Sequence, residues 1–121
     1  MDKATTKELL KFILESILLI KRRFEPIDSS DDFLGSDEGL DRLDAISMRL
    51  QAIGEALKNI DKRDREFLLS VAPKNYWSKI IKTREILTHH YIDIDAETIF
   101  LICDEKLDEL EEYILKLNEV I

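Results

Sequence analysis

The chain has 121 residues, of which 45% are hydrophobic and 36% charged, with three glycines and two prolines. That length supports a single domain, residues 1–121, with its own core, and that composition excludes sheet-rich and low-complexity chains in favour of an all-α fold. The formal net charge of -8 excludes a general duplex-DNA binder, which needs a basic field to displace counterions from phosphates.

Thr5-Thr-Lys-Glu8 reads as a capping box, in which a threonine oxygen accepts from orphan backbone amides and the glutamate reaches back. A first helix is predicted from there to about Phe24, with Leu9, Ile13, Ile17, Ile20 and Phe24 forming its buried stripe. Its most apolar run, Ile13 to Ile20, contains Glu15 and is far shorter than the roughly 20 residues a bilayer span requires, so neither a membrane anchor nor a signal peptide is expected. Pro26 and the polar segment Asp28-Ser-Ser-Asp-Asp32 stop the helix, and the apolar pair Phe33-Leu34 is expected to tuck back onto the body. Gly35 to Gly39 is read as the rest of the loop.

The second helix carries Leu40, Leu43, Ile46, Leu50, Ile53 and Leu57, whose spacing from Leu43 onward alternates three and four like a heptad seam. Gly54 sits beside that seam, where it costs about 0.8–1 kcal/mol relative to alanine and so marks a close approach of another helix. A short helix is predicted around Arg65 to Val71, ending before Pro73, and a third long helix from near Tyr76 to His89 or beyond. Asp95 is placed as the cap of a last helix whose Ile99, Ile102, Leu107, Leu110, Ile114, Leu117 and Ile121 mark an apolar side. These elements make an antiparallel four-helix bundle with an additional short helix.

Cys103 is the single cysteine, so an intrachain disulfide is impossible, a cysteine-based metal site is not expected, and a cytoplasmic location fits. Lys21-Arg22-Arg23, Lys62-Arg63 with Arg65, and Lys74, Lys79 and Lys82 are read as solvated faces, as is the acidic run from Asp104-Glu105 to Glu111-Glu112. Asp93, Asp95 and Glu97 are read as helix-start acids rather than metal ligands. Glycine-rich phosphate loops and nucleophile elbows are absent, and no cofactor is expected.

The chemistry concentrates in Arg84-Glu-Ile-Leu-Thr-His89-His90-Tyr91, which combines a fixed cation, titratable imidazoles and a phenol. Trp77, Ile80, Arg84, Leu87 and Tyr91 share one stripe, so an arginine interrupts an apolar face and must pair internally, lie at a subunit interface or open onto an anion-binding cleft. His89 lies about 140° around an ideal helix from Arg84, so one straight helix does not bring both onto one atom. Either the helix breaks there or two subunits contribute. His90 adjoins His89 but points about 100° away, which does not make the i, i+4 ligand pair of a zinc helix.

The spacing Arg84-x-x-x-x-His89-x-Tyr91 resembles the signature of the HepT-like branch of the HEPN superfamily. Phe33-Leu34, the run Asp44-Ala-Ile-Ser-Met-Arg-Leu-Gln-Ala-Ile-Gly-Glu55, and Pro73 with Trp77 resemble that branch's other landmarks in the same order, so the resemblance covers roughly residues 5 to 117. The chain departs from the pattern at Glu85, where a short polar residue is usual, and at Lys106-Leu107, where Leu-Pro is usual. Glu85 would either draw Arg84 into a local interaction or set a negative charge beside a bound phosphate.

The resemblance implies a HEPN-like helical bundle that forms a homodimer, with Arg84 and His89 of both subunits lining one cleft as catalytic residues. It implies a metal-independent endoribonuclease acting on RNA, the toxin of a toxin–antitoxin pair. The implied antitoxin is a minimal nucleotidyltransferase that silences its toxin by attaching AMP to Tyr91, the modification site, with Glu85 and His90 in supporting places. Two further readings stand beside it: a catalytically inactive HEPN module that binds a partner nucleotidyltransferase or nucleotide, and a helical interaction protein in which the motif is an interface ion network.

Overall fold

A computed structural model of the chain describes residues 3–89 and 96–121. Among these, the order is α1 (Lys3–Phe24), α2 (Asp31–Leu34), α3 (Asp37–Arg63), α4 (Arg65–Leu69), α5 (Lys74–His89), α6 (Ala96–Leu101), a π-helical turn (Ile102–Lys106) and α7 (Leu107–Val120). The fold is the expected all-α bundle of HEPN-like type, and the described residues contain no strand.

α1 is helical from Lys3, so Thr5 lies inside it and the predicted capping box does not mark its start. The buried stripe runs through Leu10, Ile13, Ile17 and Ile20, all fully buried, while Leu9 is only half-buried. The helix ends as expected at Phe24, with Lys21, Arg22 and Arg23 complementing the negative end of its dipole. Asp32 then closes the turn, its carboxylate accepting from the backbone N–H groups of Asp28 and Ser29. Of the apolar pair, Phe33 is fully buried beside Phe24, whereas Leu34 stays 59% exposed, because a single helical turn turns only one of two neighbours inward.

α3 starts earlier than its apolar seam suggests. Ser36 caps it by accepting from the Gly39 amide, so Gly39 belongs to the first turn and not to the loop. A Cβ at Gly39 would stand 2.1 Å from the Asp32 carbonyl oxygen, which is why that turn requires glycine. Leu43, Ile46, Leu50, Ile53 and Leu57 are buried along the seam, and α3 packs against both α1 and α5 as the central helix of the bundle.

The last helix is one rod interrupted by a π turn. Between Ile99 and Leu107 a regular α-helix would rotate about 80° away from the core. The wider turn of a π-helix absorbs that excess, so Ile99, Cys103 and Leu107 all remain buried. Lys21 of α1 pairs with Asp108 and Glu111 of α7, so these charges clamp two helices rather than forming the solvated faces expected of them. No helix among the described residues is long and apolar enough to cross a membrane.

Candidate functional site

α5 carries the motif, and its placement rests on Trp77. The indole is 1% exposed and its N–H donates to the carbonyls of Leu68, at 2.8 Å, and Ala72, at 3.1 Å. Both acceptors lie at or just after α4, so a single buried donor ties the short helix to the start of the long one. The predicted stripe holds as far as it is described: Trp77 and Leu87 are buried, and Ile80 and Arg84 are partly buried between them.

Arg84 therefore sits in an apolar face, and α3 supplies what its charge requires. Its Nε donates to Glu55 Oε2 at 2.6 Å, with side-chain exposures of 20% for the arginine and 55% for the glutamate. The hydrogen bond and the charge of Arg84 hold the Glu55 carboxyl below its ordinary range. Gly54 makes this possible: a Cβ there would lie 2.4 Å from Arg84 Cβ, an approach that no other residue permits without moving a helix. The close helix approach read from Gly54 is thus an approach to Arg84 itself.

Glu85 points elsewhere. It is exposed, and the ion pair of Arg84 is made with Glu55 of α3 rather than with its own neighbour. Because that bond engages Nε, the two terminal guanidinium nitrogens retain donors in the fork geometry that suits phosphate. Glu55 was legible only as part of a family landmark; the signal for its role was its position directly after a seam glycine.

His89 ends α5. The side chain of His89, and His90 and Tyr91 entirely, lie outside the described residues, as do Asp93 and the predicted cap Asp95. Among the described residues, no group of three or more His, Cys, Asp or Glu is placed to hold a metal ion. Cys103 is buried, and that burial, with Asp104 beside it, pushes its thiol up to about 12, so it stays protonated at neutral pH and is no nucleophile.

Alongside Arg84 a cavity of about 410 Å³ opens between α3, α5 and the last helix. Sequence reasoning did not find it, because its walls are the ordinary apolar positions of three separate helices.

The comparisons with known proteins agree with this geometry. The family model described as "HepT-like: Ribonuclease HepT-like" matches residues 13–117. The chain is 32% identical over 113 residues to "Gamma-glutamylcyclotransferase and putative RNase MJ0434" of Methanocaldococcus jannaschii, an alignment covering 93% of this chain and 47% of that protein. The chain thus spans about half the length of that curated relative. No solved structure matches significantly. With the matched segment running from α1 to α7 and including Gly54, Glu55, Arg84 and His89, the chain belongs to the Ribonuclease HepT-like family.

Proposed function

We propose that the protein is a metal-independent endoribonuclease of the toxin–antitoxin type, working as a homodimer whose two copies of α5 face one cleft. The observation that carries this reading is the held arginine: Arg84 is seated on Gly54 and fixed through Nε by Glu55, with its terminal nitrogens available to an anion. An arginine pre-positioned in a partly buried place stabilises charge developing on a phosphate without reorganising at the moment of reaction. Glu55 is then a positioning residue.

His89 acts as general base on a ribose 2′-hydroxyl, and the partner subunit's His89 acts as general acid on the leaving 5′-oxygen. The 2′-oxygen attacks the adjacent phosphorus, the bond from phosphorus to the 5′-oxygen breaks, and the leaving oxygen takes the acid's proton. The products are a 2′,3′-cyclic phosphate and a 5′-hydroxyl. Two subunits answer the geometric difficulty of bringing Arg84 and His89 of one helix onto one atom. A minimal nucleotidyltransferase antitoxin silences the enzyme by transferring AMP to Tyr91, placing negative phosphate on the helix face that carries Arg84.

The test is cleavage of labelled RNA in EDTA by wild type and His89→Ala, with the product ends identified. Cyclic phosphate ends that disappear in the variant support the reading. A well-folded wild type that binds RNA without cleaving it supports instead the inactive binding module, the reading favoured by the exposed Glu85 beside Arg84.

A further inference from the structure

The cavity beside α5 carries three features that a mere packing gap does not combine. It is continuous with the arginine site: Ile80, one helical turn before Arg84, and Ile53, directly before Gly54, both line it. It contains an unsatisfied polar atom, since the Tyr76 hydroxyl is buried and, among the described residues, has no hydrogen-bond partner. Its rim is cationic on two helices, with exposed Lys79 on α5 and exposed Lys106 on the π turn.

Each feature limits the occupant. A volume of about 410 Å³ lies in the range of small-molecule sites and holds a nucleoside with room to spare. The Tyr76 ring stands edge-on to Tyr113 at 4.8 Å, giving a flat ligand aromatic walls together with Leu107 and Leu110. Burial raises the Tyr76 pKa, and Glu109 and Tyr113 raise it further, so its hydroxyl stays protonated and offers a hydrogen bond in both directions. Glu109 at the rim accepts from an exocyclic amine, and the two lysines meet phosphates on either side. An apolar peptide would use the walls and leave Tyr76, Lys79 and Lys106 without purpose.

Resting on the ribonuclease reading, we propose that this cavity is the subsite for one unstacked base of single-stranded RNA, one helical turn from the phosphate held by Arg84. Single-stranded RNA is generally recognised in this way, by splaying a base out and holding its face against aromatics and its edge by hydrogen bonds. The subsite would make cleavage depend on the base flanking the scissile phosphate and would favour unpaired RNA.

The experiment uses the full chain and a short single-stranded oligonucleotide with 2′-fluoro ribose throughout, in which one abasic position is walked along the strand. Affinity is read by fluorescence anisotropy for wild type, Tyr76→Phe and Lys106→Glu. One abasic position should weaken wild-type binding on the order of tenfold, and that penalty should shrink about threefold in Tyr76→Phe, which removes only the orphan hydroxyl. Lys106→Glu should weaken intact and abasic strands alike. Insensitivity to every abasic position, an undiminished penalty in Tyr76→Phe, or unchanged affinity in Lys106→Glu would each overturn the subsite. The fluorine removes the nucleophile, so binding is read independently of cleavage: base-dependent binding with no cleavage of ordinary RNA defeats the ribonuclease reading, whereas cleavage with no base dependence defeats the subsite.

Discussion

The two flanks of α3 are built differently. Toward α1, Leu10, Ile13, Ile17 and Ile20 are fully buried, as are Ile46, Leu57 and Ile60 of α3, and the polar side chains there are satisfied, as when Ser47 donates to the Leu43 carbonyl. Toward α5, the interface contains an arginine seated on a glycine, an ion pair reaching solvent, a tyrosine hydroxyl without a partner and an open cavity. The first flank holds the fold together by burial. The second gives up packing to hold groups in place, which is what a chemical site on a small bundle requires.

The largest test of this division is in activity. Arg84→Ala should lower RNA cleavage by about 10²–10³-fold while moving the thermal midpoint little, because the side chain is already 20% exposed and its partner Glu55 can return to water. The opposite signature belongs to Ile17→Ala on the other flank, which should cost about 2–5 kcal/mol in denaturant unfolding without changing cleavage by the folded fraction. Trp77→Ala breaks the boundary between the two classes: it should cost about 3–5 kcal/mol and also lower cleavage, since the indole is what ties α5 to α4.

Gly54→Ala is a sharper probe. The new methyl must displace Arg84, an overpacking cost of about 1–3 kcal/mol set against about 1 kcal/mol of gained helix propensity. A small net change in stability should therefore accompany a large loss of cleavage. The smallest effect concerns pH. Glu55 has a lowered folded-state pKa, so its contribution is present above the ordinary glutamate range and is lost as pH falls through that lowered value. Because the pair is exposed and screened, unfolding free energy should shift only slightly there. In Glu55→Gln that acid-side shift should disappear, which a pH series of denaturant melts would check.

How far the sequence carried this account depends on whether a feature is periodic. The long helices, their buried stripes and the stripe on α5 follow from the spacing of apolar residues, and the Arg84 anomaly followed because a charge broke that spacing. The start of α3 was misplaced because Ser36 caps a polar first turn that has no apolar signal. Thr5 looked like a cap because threonine at a cap and threonine inside a helix cannot be told apart by type. The π turn was hidden since an added residue appears in sequence only as a slip between Ile99 and Leu107. Glu55 and the cavity are tertiary facts: both arise where α3 meets helices distant in sequence, and Gly54 alone announced that meeting.

The most direct test of the central claim is cleavage of a labelled single-stranded RNA in EDTA by wild type and Arg84→Ala, with both proteins first shown to unfold at the same denaturant concentration. Cleavage by wild type that falls at least about a hundredfold in the variant, with stability unchanged, is the predicted result. Equal cleavage by the two proteins would contradict the claim that the held arginine is the centre of the site.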